Sequence, residues 1–584
     1  MHCGQAPGKV IKLRKAPRSG QFRSPAGIGQ SNVVDGFDAS VIVAGGGPCG
    51  LMLANELGRR AVPTLLLTEK PATSNFPQAN ATQARTMEHY RRLGFADRIR
   101  AEGLPPDYPT DVTYWTRFAA HELARLKLPS AGEAGDLVKR LKGSWSAAEL
   151  PHRCSQMLVE RILRDEAEKL PTVDLQFGWR VRGFAERGDR VAVTAEPTAG
   201  GPARGFVARY LVGSDGPRSD IRKALGIRLT GESGVTREYM GGPQHAIHFR
   251  SKNLFSRIAG PPAWQYIAVN RDRRGLVIPL DGKDRFVFHA QLRAEEGARE
   301  FSAAEARAMF FATLGGECDM EIISRHNWTA GYTLVAERFG AGRILLGGDA
   351  VHLFTPTGGL GYNTAIDDAV NLGWKLAAVL RGWGGPGLLA SYAQERQPVA
   401  RRNTAQARRF ADSVGLLRIS DNFEDDSAAG AAARQEAGDY LLRHARQEFD
   451  IPGITFGARY DSSSIVAGDG SSPPPDEPNI YVPSAVPGGR APHLWLADGS
   501  SLFDKFGFEF TLLRLGSHPP ECGALARAAA ARKMPLAIVD IPGDEARDLY
   551  AADLALIRPD QIVAWRGDFL PDDPAALLAR VTGH

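Results

Sequence analysis

Cysteine is scarce: the 584 residues contain five, Cys3, Cys49, Cys154, Cys318 and Cys522, none close to another. No CxxC pair or zinc-type spacing occurs and the count is odd, so a reduced, cytoplasmic protein with no structural metal is expected. Long apolar runs are missing too. None approaches the roughly 20 residues that cross a bilayer, and no apolar segment follows the basic N-terminus as it would in a secretory signal. The body of the chain also lacks an excess of charge. The formal net charge is +5, but Lys9, Lys12, Arg14, Lys15, Arg18 and Arg23 supply +6 ahead of the first acid, Asp35, leaving −1 for the remainder. A near-neutral body has no electrostatic footprint for nucleic acid, so neither nucleic acid nor membrane is expected as a partner. Residues 1–36, rich in Gly, Pro, Ser and basic side chains without an apolar period, read as a disordered extension; a transit peptide or a misplaced start codon are open alternatives.

What is present begins at Ser40-Val-Ile-Val-Ala-Gly-Gly-Gly-Pro-Cys-Gly50, an apolar run that breaks on glycines and restarts as a helix over about Cys49–Arg60. Gly45 permits the turn off the strand, Gly47 lets the backbone approach a pyrophosphate, and Gly50 lets helix and sheet pack closely. Pro48 and Cys49 complete this turn as cofactor-binding candidates, and the free N–H groups and dipole of the helix that follows favour an anion. A second apolar run, Thr64-Leu-Leu-Leu-Thr-Glu69, places a carboxylate 19 residues after Gly50, with Lys70 following. Strand, glycines, helix, strand and acid in this order predict a βαβ unit holding a dinucleotide.

Two later segments repeat the pattern of a strand broken by small and polar residues. Arg209-Tyr-Leu-Val-Gly-Ser-Asp-Gly-Pro-Arg-Ser219 offers Asp215 either as a cap or as a cofactor ligand. Arg343-Ile-Leu-Leu-Gly-Gly-Asp-Ala-Val-His352 ends on Asp349, chemistry suited to a ribityl hydroxyl. It runs past Pro356 into Gly358-Gly-Leu-Gly-Tyr-Asn363 and a helix through Leu380. That glycine-rich loop delivers bare amides and a helix N-terminus to one place, which suits an anion forming there. His352 lies nearby as a packed, capping or catalytic residue.

On these three blocks, together with Gln83-Ala-Arg-Thr-Met-Glu88, His152-Arg-Cys-Ser-Gln-Met157 and Leu388-Leu-Ala-Ser-Tyr-Ala-Gln-Glu-Arg396, the chain resembles the flavin-dependent aromatic hydroxylases of the para-hydroxybenzoate hydroxylase superfamily from about residue 38 onward. The resemblance implies an α/β fold: a discontinuous Rossmann-like FAD-binding domain over 37–225 and 335–410, and an inserted β-sheet substrate domain over 226–334. A helical segment and linker would follow over 411–486, then a thioredoxin-like C-terminal domain over 487–584. It implies that Gly45, Gly47 and Gly50 hold the FAD pyrophosphate, Glu69 the adenosine ribose and Asp349 the ribityl chain. Arg85 and Gln156 would contact the cofactor, and Asp215 both FAD and the nicotinamide. Gly359, Leu360 and Gly361, with Asn363 closing the motif, would line the isoalloxazine ring.

The implied cycle has NAD(P)H, docking transiently, reduce FAD; O2 adds to the reduced ring, and the resulting hydroperoxide transfers OH to an electron-rich aromatic carbon. A single nucleotide fingerprint is consistent with this, since Gly340-Ala-Gly-Arg-Ile-Leu345 precedes its strand and lacks a third glycine. Related phenol hydroxylases carry an acid or histidine where this chain has Asn80, which orients a hydroxyl but is no base, so the base is unassigned. Period-two patterning in Trp264-Gln-Tyr-Ile-Ala-Val and over residues 284–292 predicts strands. Trp264, Tyr266, Phe288 and His289 are candidates to face an aromatic substrate, with ordinary sheet core as the alternative. A Pro/Ser/Gly-rich linker, residues 468–487, precedes the last domain. There Cys522-Gly-Ala-Leu525 offers one thiol where a redox thioredoxin needs two, so that domain reads as structural or as support for a homodimer. A halogenase is disfavoured by the missing Trp-x-Trp-x-Ile-Pro signature. An FAD dehydrogenase without oxygen insertion and a flavin-binding interaction protein stay open.

Overall fold

The computed structural model describes residues 36–233, 240–297 and 299–584, and the extension expected over 1–36 lies almost wholly outside them. The first strand, Val41–Ala44, is apolar throughout and wholly buried, as a strand covered on both faces of a parallel sheet must be. It is the centre of a six-stranded sheet. On one side lie Thr64–Thr68 and then Val173–Phe177; on the other lie Tyr210–Gly213, Ile344–Leu346 and the short Gly340–Ala341. The pairings are parallel except the last. Ala44 pairs with Gly213 and Gly213 with Leu346, so three strands distant in sequence end in one row. The chain leaves the first strand towards one edge and returns beside it for the other half, which makes that row a topological switch point.

The helices Pro48–Gly58 and Leu360–Leu380 cover this sheet and pack on one another at Gly373, where an added Cβ would lie 2.6 Å from that of Glu56. A second sheet of seven strands runs Glu321–Ala330, Gly242–Arg250, Arg285–Gln291, Arg274–Pro279, Gln265–Val269, Val112–Trp115, Glu122–Leu126. Its last two strands come from the N-terminal segment, and Gln265–Val269 pairs with Val112–Trp115 in parallel, which needs a long crossover rather than a hairpin. Alternation gives this sheet two apolar faces. Ile247, Phe249, Tyr266, Val277 and Phe288 pack against the helix Ala303–Leu314. Trp264, Ile267, Leu276, Ile278 and Val287 face Ala81 and the helix Ala428–Phe449.

The C-terminal unit is a four-stranded sheet ordered Leu536–Ile541, Phe510–Leu515, Leu554–Ile557, Val563–Gly567, with only the first pair parallel. The thioredoxin-like expectation holds in this β-α-β arrangement. Cys522 is buried at the head of the helix Gly523–Ala531, and burial pushes its thiol up from its ordinary value, away from a reactive thiolate. The unit is fused to the rest. Trp374 and Trp383 meet Phe510 edge-on at 5.8 and 6.2 Å, and Glu395 on the helix Pro386–Gly415 is buried against Arg558 at 2.7 Å.

Candidate active site

The three blocks converge because their strands are neighbours. Gly45 has φ +115°, and a Cβ there would lie 2.1 Å from the carbonyl oxygen of Ser214. At Gly50 it would lie 2.0 Å from the Gly45 oxygen. A Cβ on Gly47 meets nothing within 4 Å, so this stretch of backbone borders open space rather than protein. The helix that starts at Pro48 has no side-chain cap and no acid in its first turn, which leaves its first N–H groups free for an anionic ligand.

Asp349 belongs to the same floor. A Cβ on Gly348 would sit 3.0 Å from that of Cys49, so the third block presses on the first turn of the first helix. The Asp349 side chain is exposed, yet burial among the surrounding walls raises its carboxyl from the ordinary value, with His352 and Lys70 opposing. Partial exposure combined with strong desolvation describes a group at the bottom of a crevice. Cys49 is buried, and burial, then Asp368 and Asp349, raise its thiol well above the ordinary value.

Beyond Asp349 the chain forms a loop with two left-handed glycines, Gly358 (φ +69°) and Gly359 (φ +63°). Gln83 and Asn363 clamp it: Gln83 Nε2 donates to the Gly358 oxygen at 3.0 Å, and Asn363 Nδ2 donates to the Ala81 oxygen at 2.9 Å and the Gly359 oxygen at 2.6 Å. The backbone N–H of Gly358 donates to Glu448 at 2.9 Å. Leu360 turns its side chain into an apolar cluster with Phe410, Ile451 and Ile454, and a Cβ placed on Gly361 would come nearest the Phe354 side chain, at 3.3 Å. The helix starting at Leu360 again has no side-chain cap and no acid in its first turn. Pro356, at the loop entrance, is exposed.

Other expected residues have partners of their own. Glu69 is exposed and accepts from Arg180 Nε at 2.6 Å, with exposed Lys70 beside it. Asp215 accepts from Ser219 Oγ at 2.6 Å and from the N–H of Ile221, the helix-start role expected of an Asp-Gly turn. Gln156 opens the helix Gln156–Glu168 and donates to Glu160 at 2.7 Å and Gln78 at 3.1 Å. Arg85 donates to Glu88 at 2.9 Å and, across to the C-terminal unit, to Gln561 Oε1 and the Asp560 oxygen, both at 2.6 Å.

Asn80 is half-buried, next to the Ala81 that touches the Gly359 position. Trp264 lies on the sheet face that includes Ala81. Tyr266 lies on the opposite face, its hydroxyl accepting from the N–H of Ala263 at 2.7 Å, so it is sheet core. Phe288 shares that core face. His289 pairs across the sheet with Ala246 and Leu276, which puts it on the Ala81 side. Burial, then repulsion from His326, pulls His289 down to about 4, so it is neutral near pH 7.

The partners of His352 are not visible in the sequence. His352 is fully buried with Nε2 2.6 Å from Asp368, which also accepts from Arg396 Nε at 2.8 Å and from the N–H of Gly348 at 3.2 Å. Burial alone would raise the Asp368 carboxyl, but His352 and Arg396 outweigh it and hold it low. This cluster braces the Asp349 turn from behind, and it makes His352 a packed residue. The only local signal was polar residues at internal helix positions, and their partner Arg396 sits on another helix.

Comparison with known proteins agrees with the geometry. Residues 38–407 match the FAD binding domain family and residues 484–584 the aromatic-ring hydroxylase C-terminal family. The chain is 31% identical over 576 residues to the FAD-dependent monooxygenase apdD of Emericella nidulans, covering 93% of this chain and 90% of that one. Its fold is similar to the rebeccamycin biosynthetic enzyme RebC with reduced flavin (34% identity, TM-score 0.83, 94% of this chain and 99% of that one). It is also similar to aklavinone-11 hydroxylase in a ternary complex with FAD and aklavinone (27% identity, TM-score 0.78, 94% and 100%). The chain belongs to the FAD-dependent monooxygenases that carry the aromatic-ring hydroxylase C-terminal domain. It is therefore an oxidoreductase with FAD as cofactor, and NAD(P)H is the co-substrate typical of the family. The crevice suits that cofactor: two uncapped helix N-termini, open space at Gly47 and a desolvated carboxylate at Asp349 match pyrophosphate, ring edge and ribityl chain. Among the described residues no helix is long and apolar enough to cross a membrane, and no cluster of metal-ligating side chains occurs.

Proposed function

We propose that this enzyme uses NAD(P)H and O2 to hydroxylate an aromatic substrate of phenolic or polyketide type, bound between the Gly358–Gly359 loop and the Ala81 side of the seven-stranded sheet. One observation carries this reading: Ala81 joins the two, belonging to the sheet-face cluster while lying 3.0 Å from a Cβ placed on Gly359. Bound FAD supplies the two-electron reduction and oxygen activation that no side chain provides. The chain's own residues bind, orient and seal. The amides after Gly47 take the pyrophosphate; resemblance to the family gives Glu69 to the adenosine ribose, Arg85 and Gln156 to the cofactor, and Asp215 to FAD and the nicotinamide. Asp349 takes a ribityl hydroxyl, and the amides of Leu360 and Gly361 face the ring edge. Apolar residues on the sheet face keep water out, which favours coupling of reduction to hydroxylation. Neutral His289 and Asn80 orient a substrate hydroxyl.

Four free cysteines among the described residues support a reducing, cytoplasmic setting. The edge strand Leu536–Ile541, with Ile538 exposed, supports a homodimer through the C-terminal unit. The test of function is NAD(P)H oxidation by the purified flavoprotein across a panel of phenols and polycyclic hydroxyaromatics. Oxidation stimulated by a substrate, with a product heavier by one oxygen atom, is expected. Oxidation that yields no oxygenated product from any member would make the enzyme a dehydrogenase instead.

A further inference from the structure

Four fully buried arginines are paired with carboxylates: Arg60 with Glu56, Arg396 with Asp368, Arg490 with Glu88 and Arg558 with Glu395. Arg153, half-buried, has no such partner. Among the described residues it has neither a hydrogen bond nor an ion pair, and its one contact of note is with Trp264, whose ring centroid lies 3.9 Å from the guanidinium carbon. Burial pulls its pKa down to about 10, so it is desolvated yet still charged near pH 7. A partly desolvated guanidinium without a counter-charge offers its donors to an anion entering from the open side.

Its position is also specific. Thr82 and His152 form an antiparallel bridge, with Thr82 N–H donating to the His152 oxygen at 2.9 Å and His152 N–H to the Thr82 oxygen at 2.8 Å. Ala81 and Arg153 flank that bridge as opposed neighbours, so they project to the same side. Ala81 touches the Gly359 position and shares its apolar cluster with Trp264. Arg153 therefore lies between the glycine loop and the sheet face, where the hydroxylase reading puts the substrate. The indole covers one face of the guanidinium and leaves the donors along its edge available. Trp264 adds an indole N–H that is buried without a partner.

We propose that Arg153, seated on Trp264, forms a subsite for a carboxylate carried by the aromatic substrate. The inference rests on the hydroxylase reading for the pocket's location and deepens it by naming the acidic group. A guanidinium edge matches a carboxylate in two parallel hydrogen bonds, whereas an amide of the same shape presents its own donors against the fork.

The test titrates the FAD-loaded enzyme with 2-naphthoate and anthracene-2-carboxylate and with their primary amides, reading the perturbation of the flavin visible spectrum. At least one carboxylate is expected to bind about tenfold tighter than its amide, in line with a charge-assisted pair. In Arg153→Gln that preference should collapse to about twofold or less, with FAD content unchanged, while Arg153→Lys should retain part of it. Should Arg153→Gln not fold, Trp264→Phe, which keeps the ring and loses the indole N–H, should weaken carboxylate binding and leave amide binding as it was. The proposal is overturned if no carboxylate outbinds its amide in the wild type, or if Arg153→Gln keeps the preference. A preserved carboxylate preference without any oxygenated product would leave the subsite standing and sink the hydroxylase reading alone.

Discussion

Asp349 is the residue on which flavin retention is expected to turn. Its carboxyl is desolvated although the residue is exposed, so replacing it removes an acceptor from the floor of the crevice. Asp349→Ala should weaken FAD binding by about 1–3 kcal/mol, the cost of leaving a buried hydroxyl unpaired. Flavin content after ultrafiltration reports this, and equal content in variant and wild type would remove the assignment. At this scale the sequence was legible where chemistry depends on chain neighbours, as at Gly45, Gly47 and Asp349. It was not legible where a long side chain chooses among distant partners. Arg85 shares a motif with Glu88, but its guanidinium also reaches Gln561 and Asp560, some 475 positions away. Likewise, Arg153 follows His152 in a recognised block, and nothing local reveals that it lacks a counter-charge.

The strand-to-helix turn at Ala44–Pro48 is an element whose two glycines do different work. Gly45 combines a left-handed φ with contact against the Ser214 carbonyl, whereas Gly47 has extended backbone and free space. Gly45→Ala should therefore damage the fold itself, lowering the thermal midpoint of the protein stripped of flavin, because two backbones must part. Gly47→Ala should leave that midpoint unchanged and weaken FAD binding, since the new methyl occupies the approach to the helix amides. A Gly47→Ala protein that binds FAD like the wild type would move the pyrophosphate elsewhere. Element boundaries were readable to within a few residues where apolar runs meet glycine: the helix expected over about Cys49–Arg60 spans Pro48–Gly58. Which face an aromatic strand residue takes was not readable. Trp264 and Tyr266 are two positions apart, yet Trp264 precedes the regular strand Gln265–Val269, so simple alternation does not relate them and they part company.

Across the whole molecule, buried neutral histidines make stability depend on pH. Burial holds His152 and His289 near 4 and His493 near 3, below the ordinary value of about 6.5. Over the range between, the unfolded chain binds more protons than the folded one, so stability falls as pH drops through 6.5 towards 4. By pH 5 the loss should be about 2 kcal/mol for each group, read as a falling urea midpoint between pH 7 and pH 5. The carboxylate Glu88 acts in a different range. Burial would raise it, but Arg490 and Arg85 hold it near 2, so its contribution is present above about 4.5 and is lost only as pH falls towards 2. A midpoint unchanged from pH 7 to pH 5 would contradict the buried neutral assignment. The sequence by itself determined the class of cofactor and the order of the parts, because phosphate-binding turns, apolar strand runs and glycine loops are local and follow from backbone geometry. Tertiary structure alone decided what the crevice holds against the cofactor. The His352–Asp368–Arg396 cluster behind Asp349, the C-terminal partners of Arg85 and the solitary charge of Arg153 all arise from side chains that meet only in the folded chain, and no spacing along the sequence encodes a missing partner.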